Sequence, residues 1–362
     1  MCVDGTLSQE SPVRSGVPQG TVLGPLLFLI LISDINKDVE SSYVTSFADD
    51  TRILKAIQGN REAEYLQEDL NAIYKWAEEN NMSFNACKFE KVCYKVTRST
   101  QVSQVYLAND GSEIEEKDSV RDLGIIISND ATFSKHVTMI AKKSRMKCAW
   151  ILRVFQTRDK ELMMTLWKSL VRSILEYGCQ LWNPTAIGEI REIEQVQRNF
   201  TKRIPEIKDE SYISRLKRLK LYSLERRRER YIIIYVWKII NELVPNMGIT
   251  TKNHSTHTGE DQRRTRADHD GVKCVIKSIP PNSTDRVKTL RENDFTVRGC
   301  KLFNCLPKEI REFKEKNVNK FKNRLDNFLL QIPDEPYLRG IPHPSQGNSN
   351  SILDQISRTK IT

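Results

Sequence analysis

Apolar positions change their period about a third of the way along the chain. Before that point short apolar runs, at residues 22–32 and 44–48, alternate with a polar stretch in which Leu66, Leu70, Ile73 and Ala77 recur three or four residues apart, the spacing of one helix face. The first run continues to Ile35, is too short to cross a bilayer and has no basic flank like that of a signal peptide, so it reads as a buried helix. Further strands are predicted at 92–96, at 105–107 and at 123–127, and Asn109-Asp110-Gly111 after the second is a hairpin-turn signal. These would extend the sheet of an α+β domain. Beyond Phe133 the pattern turns helical, with Phe133, Val137, Ile140, Ser144, Cys148, Ile151 and Phe155 along one face. Helices follow near 161–177, 189–203 and 224–243.

Composition sharpens the division. Residues 246–285 are rich in Asn, Thr, Ser, Pro and charge and read as a flexible connection. The expected order is a mixed domain at 1–130, a basic helical region at 131–245, that connection, a helical segment at 286–332 and a polar tail at 333–362. Residues 1–100 hold 10 Lys/Arg against 14 Asp/Glu, and the remainder 47 against 33. A basic excess of that kind attracts polyanions, nucleic acid among them, although it also suits a plainly solvated face. Eight cysteines are scattered without a Cys-x-x-Cys pair, which disfavours both a disulfide framework and a zinc ribbon and fits a reducing compartment. His254, His257, His269 and Cys274 lack finger spacing and read as a loop rather than a zinc site.

Chemistry concentrates at Ser46-Phe47-Ala48-Asp49-Asp50-Thr51, where an apolar strand ends in two acids and a second short apolar run, Ile53-Leu54, follows. A strand, turn and strand would place both carboxylates at an exposed tip, where oxygen ligands and negative charge suit a hard divalent cation and leave positions open for phosphate. Alone, an Asp-Asp pair is commoner in ordinary solvated turns. Upstream stands Ser15-Gly16-Val17-Pro18-Gln19-Gly20-Thr21-Val22-Leu23-Gly24-Pro25-Leu26-Leu27-Phe28, in which glycines allow close backbone approach and the Pro-Gln-Gly turn offers N–H groups and an amide.

Together these two blocks resemble the reverse transcriptases of LINE-type (non-LTR) retrotransposons, and the resemblance continues along most of the chain. It implies a partial polymerase palm over 1–130 and thumb-like helices after it. It also implies Asp49 as metal ligand with Asp50 as supporting acid, and Ser15, Gly16, Pro18, Gln19 and Gly20 as nucleotide or template contacts. Met82-Ser83-Phe84-Asn85-Ala86-Cys87-Lys88 is similar to the family's Asn-x-x-Lys segment, which places Lys88 near the incoming triphosphate, with Lys91 as the fallback. Val120-Arg121-Asp122-Leu123-Gly124-Ile125 resembles the strand that grips the primer terminus, so Leu123 and Gly124 are its candidates. Lys142, Lys143, Arg145 and Lys147 stand where a thumb would face duplex phosphates. Leu175-Glu176-Tyr177-Gly178-Cys179-Gln180-Leu181-Trp182-Asn183-Pro184 also resembles these elements, as do 295–298, 306–307 and 321–325, without implied chemistry. Trp150, Trp167, Trp182 and Trp237 sit in apolar helical patterns and read as core.

The family's reaction is template-directed nucleotidyl transfer, with an RNA template, a DNA primer, deoxynucleoside triphosphates and Mg²⁺, or Mn²⁺ as the alternative ion. It needs a third acid on an earlier strand, and only fourteen residues precede Ser15. Asp4 falls in what resembles the hairpin before the Pro-Gln-Gly block. The expectation is therefore a truncated enzyme, inactive alone, whose amino-terminal part would be supplied by the same element's product. The alternatives are a non-catalytic nucleic-acid-binding remnant and a decayed product without function. The expected location is intracellular, cytoplasm or nucleus, away from membranes.

Overall fold

The structure is a computed structural model that describes residues 2–3, 6–7, 16, 20–94, 104–252, 271–313, 315–338 and 349–359. It forms two compact units, residues 1–118 and 119–362.

The first unit opens with an antiparallel pair, β1 (Cys2–Val3) and β2 (Thr6–Leu7), followed by helix α1 (Gly24–Ile32). A hairpin of β3 (Tyr43–Phe47) and β4 (Asp50–Leu54) comes next, and then the long helix α2 (Asn60–Glu79). A short parallel pair, β5 (Glu90–Lys91) with β6 (Glu115–Glu116), ends the unit. The periodic face of α2 sits where its spacing demands: Leu70, Ile73 and Ala77 are buried, and Ile53 of β4 packs on both small cores that α2 builds. Two polar groups fix the approach to the hairpin. The Trp76 indole donates to Asp34 at 3.0 Å. Asp69 accepts from the Glu40 amide at 3.0 Å and the Ser41 hydroxyl at 2.5 Å. Burial pushes the Asp69 carboxyl up, but the Ser41 and Ser42 hydroxyls with the Glu40 and Ser41 amides hold it below its usual value.

Two expectations need correction here. Among the described residues every ladder is two-stranded, so the strands do not join into one sheet. Residues 92–94 are not in a strand, and 105–107 contribute a single bridge, Leu107 to Glu113. The segment pairs through Tyr106 and Ala108, which bond to the Ile114 amide and the Ser112 carbonyl, while on its other edge Gln67 of α2 accepts from the Leu107 amide at 2.7 Å and donates to its carbonyl at 3.2 Å, with Tyr74 donating to that carbonyl as well. Side chains thus satisfy the groups that a further strand on that edge would use. The second concerns α1, which buries only Gly24 and Ile32 along its length while Leu26, Leu27 and Ile30 are exposed and Val22 just before it is 94% exposed. Its Phe28 and Ile32, one turn apart, meet the core built by α2, and the side chains of Leu26, Leu27, Leu29, Ile30 and Leu31 lie outside that core, 42–62% exposed.

The second unit begins with a tight hairpin, β7 (Ser119–Asp122) and β8 (Ile125–Ser128), then α3 (Ser134–Val154). Helices α4 (Lys160–Leu166) and α5 (Arg172–Glu176) join through a wider turn at Trp167–Val171 and precede α6 (Ile187–Thr201) and α7 (Tyr212–Arg218). Their shared core contains Val137, Ile140 and Ile151 from α3, with Trp167, Trp182 and Phe200. Helix α8 (Leu224–Ile240) starts at Ser223, whose hydroxyl accepts from the Arg226 amide, the cap expected of serine at that position. A second core joins α8 to the small pair β9 (Thr251–Lys252) and β10 (Lys273–Cys274) and to the later helices. Those are α9 (Asp285–Asn293), α10 (Phe295–Asn304), α11 (Lys308–Arg311), α12 (Val318–Leu329) and α13 (Ile352–Thr359). Its centre is Trp237 stacked on Phe321 at 4.4 Å.

Candidate active site

The two acids stand at the tip of the β3–β4 hairpin. Phe47 pairs with Asp50, leaving Ala48 and Asp49 as a two-residue loop. Ala48 takes φ +54° and is the one loop residue with positive φ, the pattern of a II′-type turn, whose first position favours glycine. An alanine there is strained, and strain of this kind gathers where a geometry is needed for function. Just below the tip the Ser46 and Thr51 hydroxyls meet across the strands at 3.1 Å. Asp49 and Asp50 are both exposed, and neither carboxylate has a hydrogen-bond or ion-pair partner among the described residues. Their oxygens are therefore free for a hard cation, which commonly takes one or two carboxylates and fills its remaining positions with water and phosphate. Among the described residues no group of three or more His, Cys, Asp or Glu forms a metal site, so the pair would be part of a ligand set. Behind the tip lies a cleft of about 270 Å³ lined by Leu29, Ile32, Val44 and Ala48 among others, with no charged side chain. It therefore offers a phosphate no countercharge, only the neutral polar groups of Ser33, Asn36 and Ser46.

Lys88 ends a single 3-10 turn, Ala86–Lys88, which Asn85 caps by accepting from the amide of its second residue, Cys87, at 3.1 Å. The Asn-x-x-Lys spacing is thus one capped turn. Phe84 and Phe89 bracket it and pack edge-on against Tyr74 of α2, in the cluster that also holds Ile53 of β4. Lys88 is exposed and has no partner among the described residues, whereas Lys91 is committed: it pairs with Glu116 at 3.1 Å, donates to the Gln104 carbonyl and lies over the Tyr106 ring. That favours Lys88 over Lys91 for any substrate contact. In the Gly-Pro block, Gly16 and Gly20 have φ +85° and +83° in open surroundings. Ser15, Pro18 and Gln19 lie outside the described residues.

Leu123 and Gly124 form the two-residue loop of the β7–β8 hairpin, both with positive φ, +43° and +85°, a I′-type turn. They belong to the second unit. The hairpin leans on α3 and on the chain reversal after α5: Ile125 is buried, and the His136 ring accepts from the Ile126 amide at 3.3 Å. Burial holds His136 down to about 4, so the ring is neutral near pH 7 and able to accept. Gly178 has φ +64°, and a Cβ there would stand 2.6 Å from Cδ1 of Ile125. Gly178→Ala is expected to cost about 1.5 kcal/mol through left-handed strain and a displaced core methyl. A shift of the urea midpoint at unchanged slope would show it, and an unchanged midpoint would contradict it.

The basic residues of α3 divide. Lys142 and Lys143 are exposed and make no ion pair among the described residues, Arg145 pairs with Glu192 of α6 at 2.9 Å, and Lys147 lies 5.0 Å over the Trp150 ring. Trp150 is 43% exposed, unlike Trp167, Trp182 and Trp237, which are fully buried. Its reading as core is corrected, since the α3 core stripe runs through Cys148 and Ile151 on either side of it.

Residues 2–127 match the family model of reverse transcriptase (RNA-dependent DNA polymerase), a span that includes Asp49, Asp50, Lys88, Leu123 and Gly124. The mixed first unit and helical second unit fit a partial palm followed by a helical region. Among curated proteins the chain is 29% identical over 206 residues to a probable RNA-directed DNA polymerase from transposon X-element of Drosophila melanogaster, covering 55% of this chain and 22% of that protein. It is 32% identical over 213 residues to the RNA-directed DNA polymerase from mobile element jockey of the same species, covering 56% and 23%. The chain is thus related to the reverse transcriptases of LINE-type, non-LTR retrotransposons, and it spans less than a quarter of the length of these relatives. No solved structure gives a significant match.

Proposed function

We propose that the chain is the palm and thumb-like portion of an RNA-directed DNA polymerase that extends a DNA primer on an RNA template. The observation that carries this reading is the hairpin tip, where two free adjacent carboxylates lie on a strained two-residue turn within the reverse-transcriptase segment. Asp49 would ligate Mg²⁺, or Mn²⁺ in its place, and Asp50 would support that position. Bound there, the ion would supply charge stabilisation for the attacking and leaving oxygens of phosphoryl transfer. Lys88, free and exposed, would meet the triphosphate of the incoming nucleotide. The Leu123–Gly124 turn would contact the primer terminus, and Lys142 and Lys143 would neutralise duplex phosphates. Ser15, Gly16, Pro18, Gln19 and Gly20 would approach nucleotide or template.

The family's reaction calls for a third acid, and the described residues bring none to the tip. Residues 1–362 alone are therefore proposed to be inactive, with activity appearing when a preceding acid-bearing strand belongs to the same polypeptide. Among the described residues no helix is long and apolar enough to cross a membrane; the cytoplasm or nucleus is the proposed site of action. Primer extension on an RNA template with Mg²⁺ tests the reading. Incorporation is expected from the longer polypeptide and not from 1–362. Silence in both would overturn the polymerase reading, and incorporation by 1–362 would overturn the need for a third acid.

A further inference from the structure

The segment around Tyr177 carries no chemistry by resemblance, yet it reaches a turn that does. Tyr177 is 57% exposed, which for a purely structural tyrosine is a poor place to be. Its hydroxyl nevertheless donates at 2.9 Å to the carbonyl of Leu123, 54 residues earlier. Its ring edge lies against Gly124, with Cε1 3.5 Å from where a Cβ on that glycine would be. Tyr177 is held from behind, because the fully buried Trp182 donates its indole N–H to the Tyr177 carbonyl at 2.7 Å. Trp182 meets the His136 ring edge-on at 5.1 Å, and His136 accepts from Ile126 on the strand leaving the same turn. The turn is therefore gripped at its tip and at its stem by side chains braced on a single tryptophan.

The turn needs such a grip. A leucine at φ +43° sits in a position that favours Asn, Asp or Gly, and a strained residue persists only where its surroundings over-determine it. We propose that Tyr177 is a positioning residue that fixes the Leu123–Gly124 turn for the primer terminus. The proposal rests on the reading of that turn as a primer contact. Tyr177 touches no reacting group; it acts through the Leu123 carbonyl. In this assignment an exposed hydroxyl on the chain reversal after α5 sets the geometry of a hairpin that precedes it by some fifty residues of helix.

Tyr177→Phe keeps the ring and removes the hydrogen bond, so it separates positioning from packing. The test uses the full 1–362 chain bound to an RNA template annealed to a DNA primer ending in 4-thiothymidine. In the unsubstituted protein, photocrosslinks from the primer end are expected within residues 119–128. In Tyr177→Phe, amide exchange at Ile125, which closes the turn against Asp122, is expected to accelerate about tenfold, the factor that a hydrogen bond of ordinary worth corresponds to. Crosslinks to the hairpin should fall while duplex affinity stays the same and the melting temperature drops by only a few degrees, about what the lost hydrogen bond accounts for. Tyr177→Ala, which also loses the ring, should accelerate exchange further. Unchanged exchange in Tyr177→Phe overturns the clamp itself. Crosslinks outside the hairpin in the unsubstituted protein overturn the primer reading, and the positioning role with it, whatever the exchange rates show.

Discussion

In a polypeptide that extends primers, Asp49→Asn is expected to lower the rate of nucleotide incorporation about a thousandfold, the loss of several kcal/mol of transition-state charge stabilisation. Primer–template affinity should barely change. Asp50→Asn should cost less, because Asp50 begins β4 in register with Phe47 while Asp49 stands in the loop itself. Folding gives no competing explanation for the loss. Both carboxylates are exposed and neither has a hydrogen-bond or ion-pair partner among the described residues, so replacing either should leave the melting temperature where it was. Neutralising one of two adjacent like charges should, if anything, relax the turn. The informative comparison is therefore single-turnover incorporation against thermal unfolding for each variant. An Asp49→Asn protein retaining incorporation within tenfold of the parent would remove Asp49 from the metal site.

What the sequence made legible was local. Two acids between two apolar runs became the β3–β4 hairpin, and the spacing of Leu70, Ile73 and Ala77 became the buried face of α2, because turn chemistry and helical period act over a few residues. Burial was less legible, being a property of whatever covers an element. The apolar run of α1 is exposed, whereas Glu225, Arg226, Arg228 and Glu229 in the polar first turns of α8 are buried. Hydrogen bonds between distant residues left no pattern to read. Gln67 capturing Leu107 closed the outer edge of the 105–107 segment to a further strand, and Tyr177 reaching Leu123 created a contact that periodicity does not contain. The one sequence signal for the latter was Tyr177-Gly178 itself, an aromatic followed by a glycine at a chain reversal.

The buried charges of α8 give the second large effect, and its sign follows from proton binding. Burial pushes the Glu225 carboxyl up to about 8, with the Glu229 charge adding to the rise and Arg228 opposing it. One of its oxygens, Oε2, has no hydrogen-bond partner among the described residues. Burial likewise lifts Glu194 to about 7, against hydrogen bonds from the Tyr212 hydroxyl and the Leu224 amide. A carboxyl whose folded value lies above its unfolded one holds a proton that the unfolded chain has already released. Its contribution to stability is complete below pH 4.5 and is lost as pH rises through the folded value. His136, held down to about 4, works in the opposite direction, but only below its unfolded value of 6.5. Between pH 6.5 and 8 the carboxyls act without that opposition, and above pH 7 the slope belongs chiefly to Glu225. Stability of the chain is therefore expected to fall across this window, by about 2 kcal/mol from Glu225 alone. Glu225→Gln, which cannot ionise, should flatten the slope and exceed the parent by about 4 kcal/mol at pH 8. Glu229 offers no such gain, since its carboxylate accepts from the Ser351 hydroxyl and the Ile352 amide and fastens the start of α13 to α8. Urea unfolding of the parent and Glu225→Gln at pH 6.5, 7.2 and 8 decides the matter: parallel pH dependences would mean that Glu225 is already ionised in the folded protein, its charge balanced by Arg228.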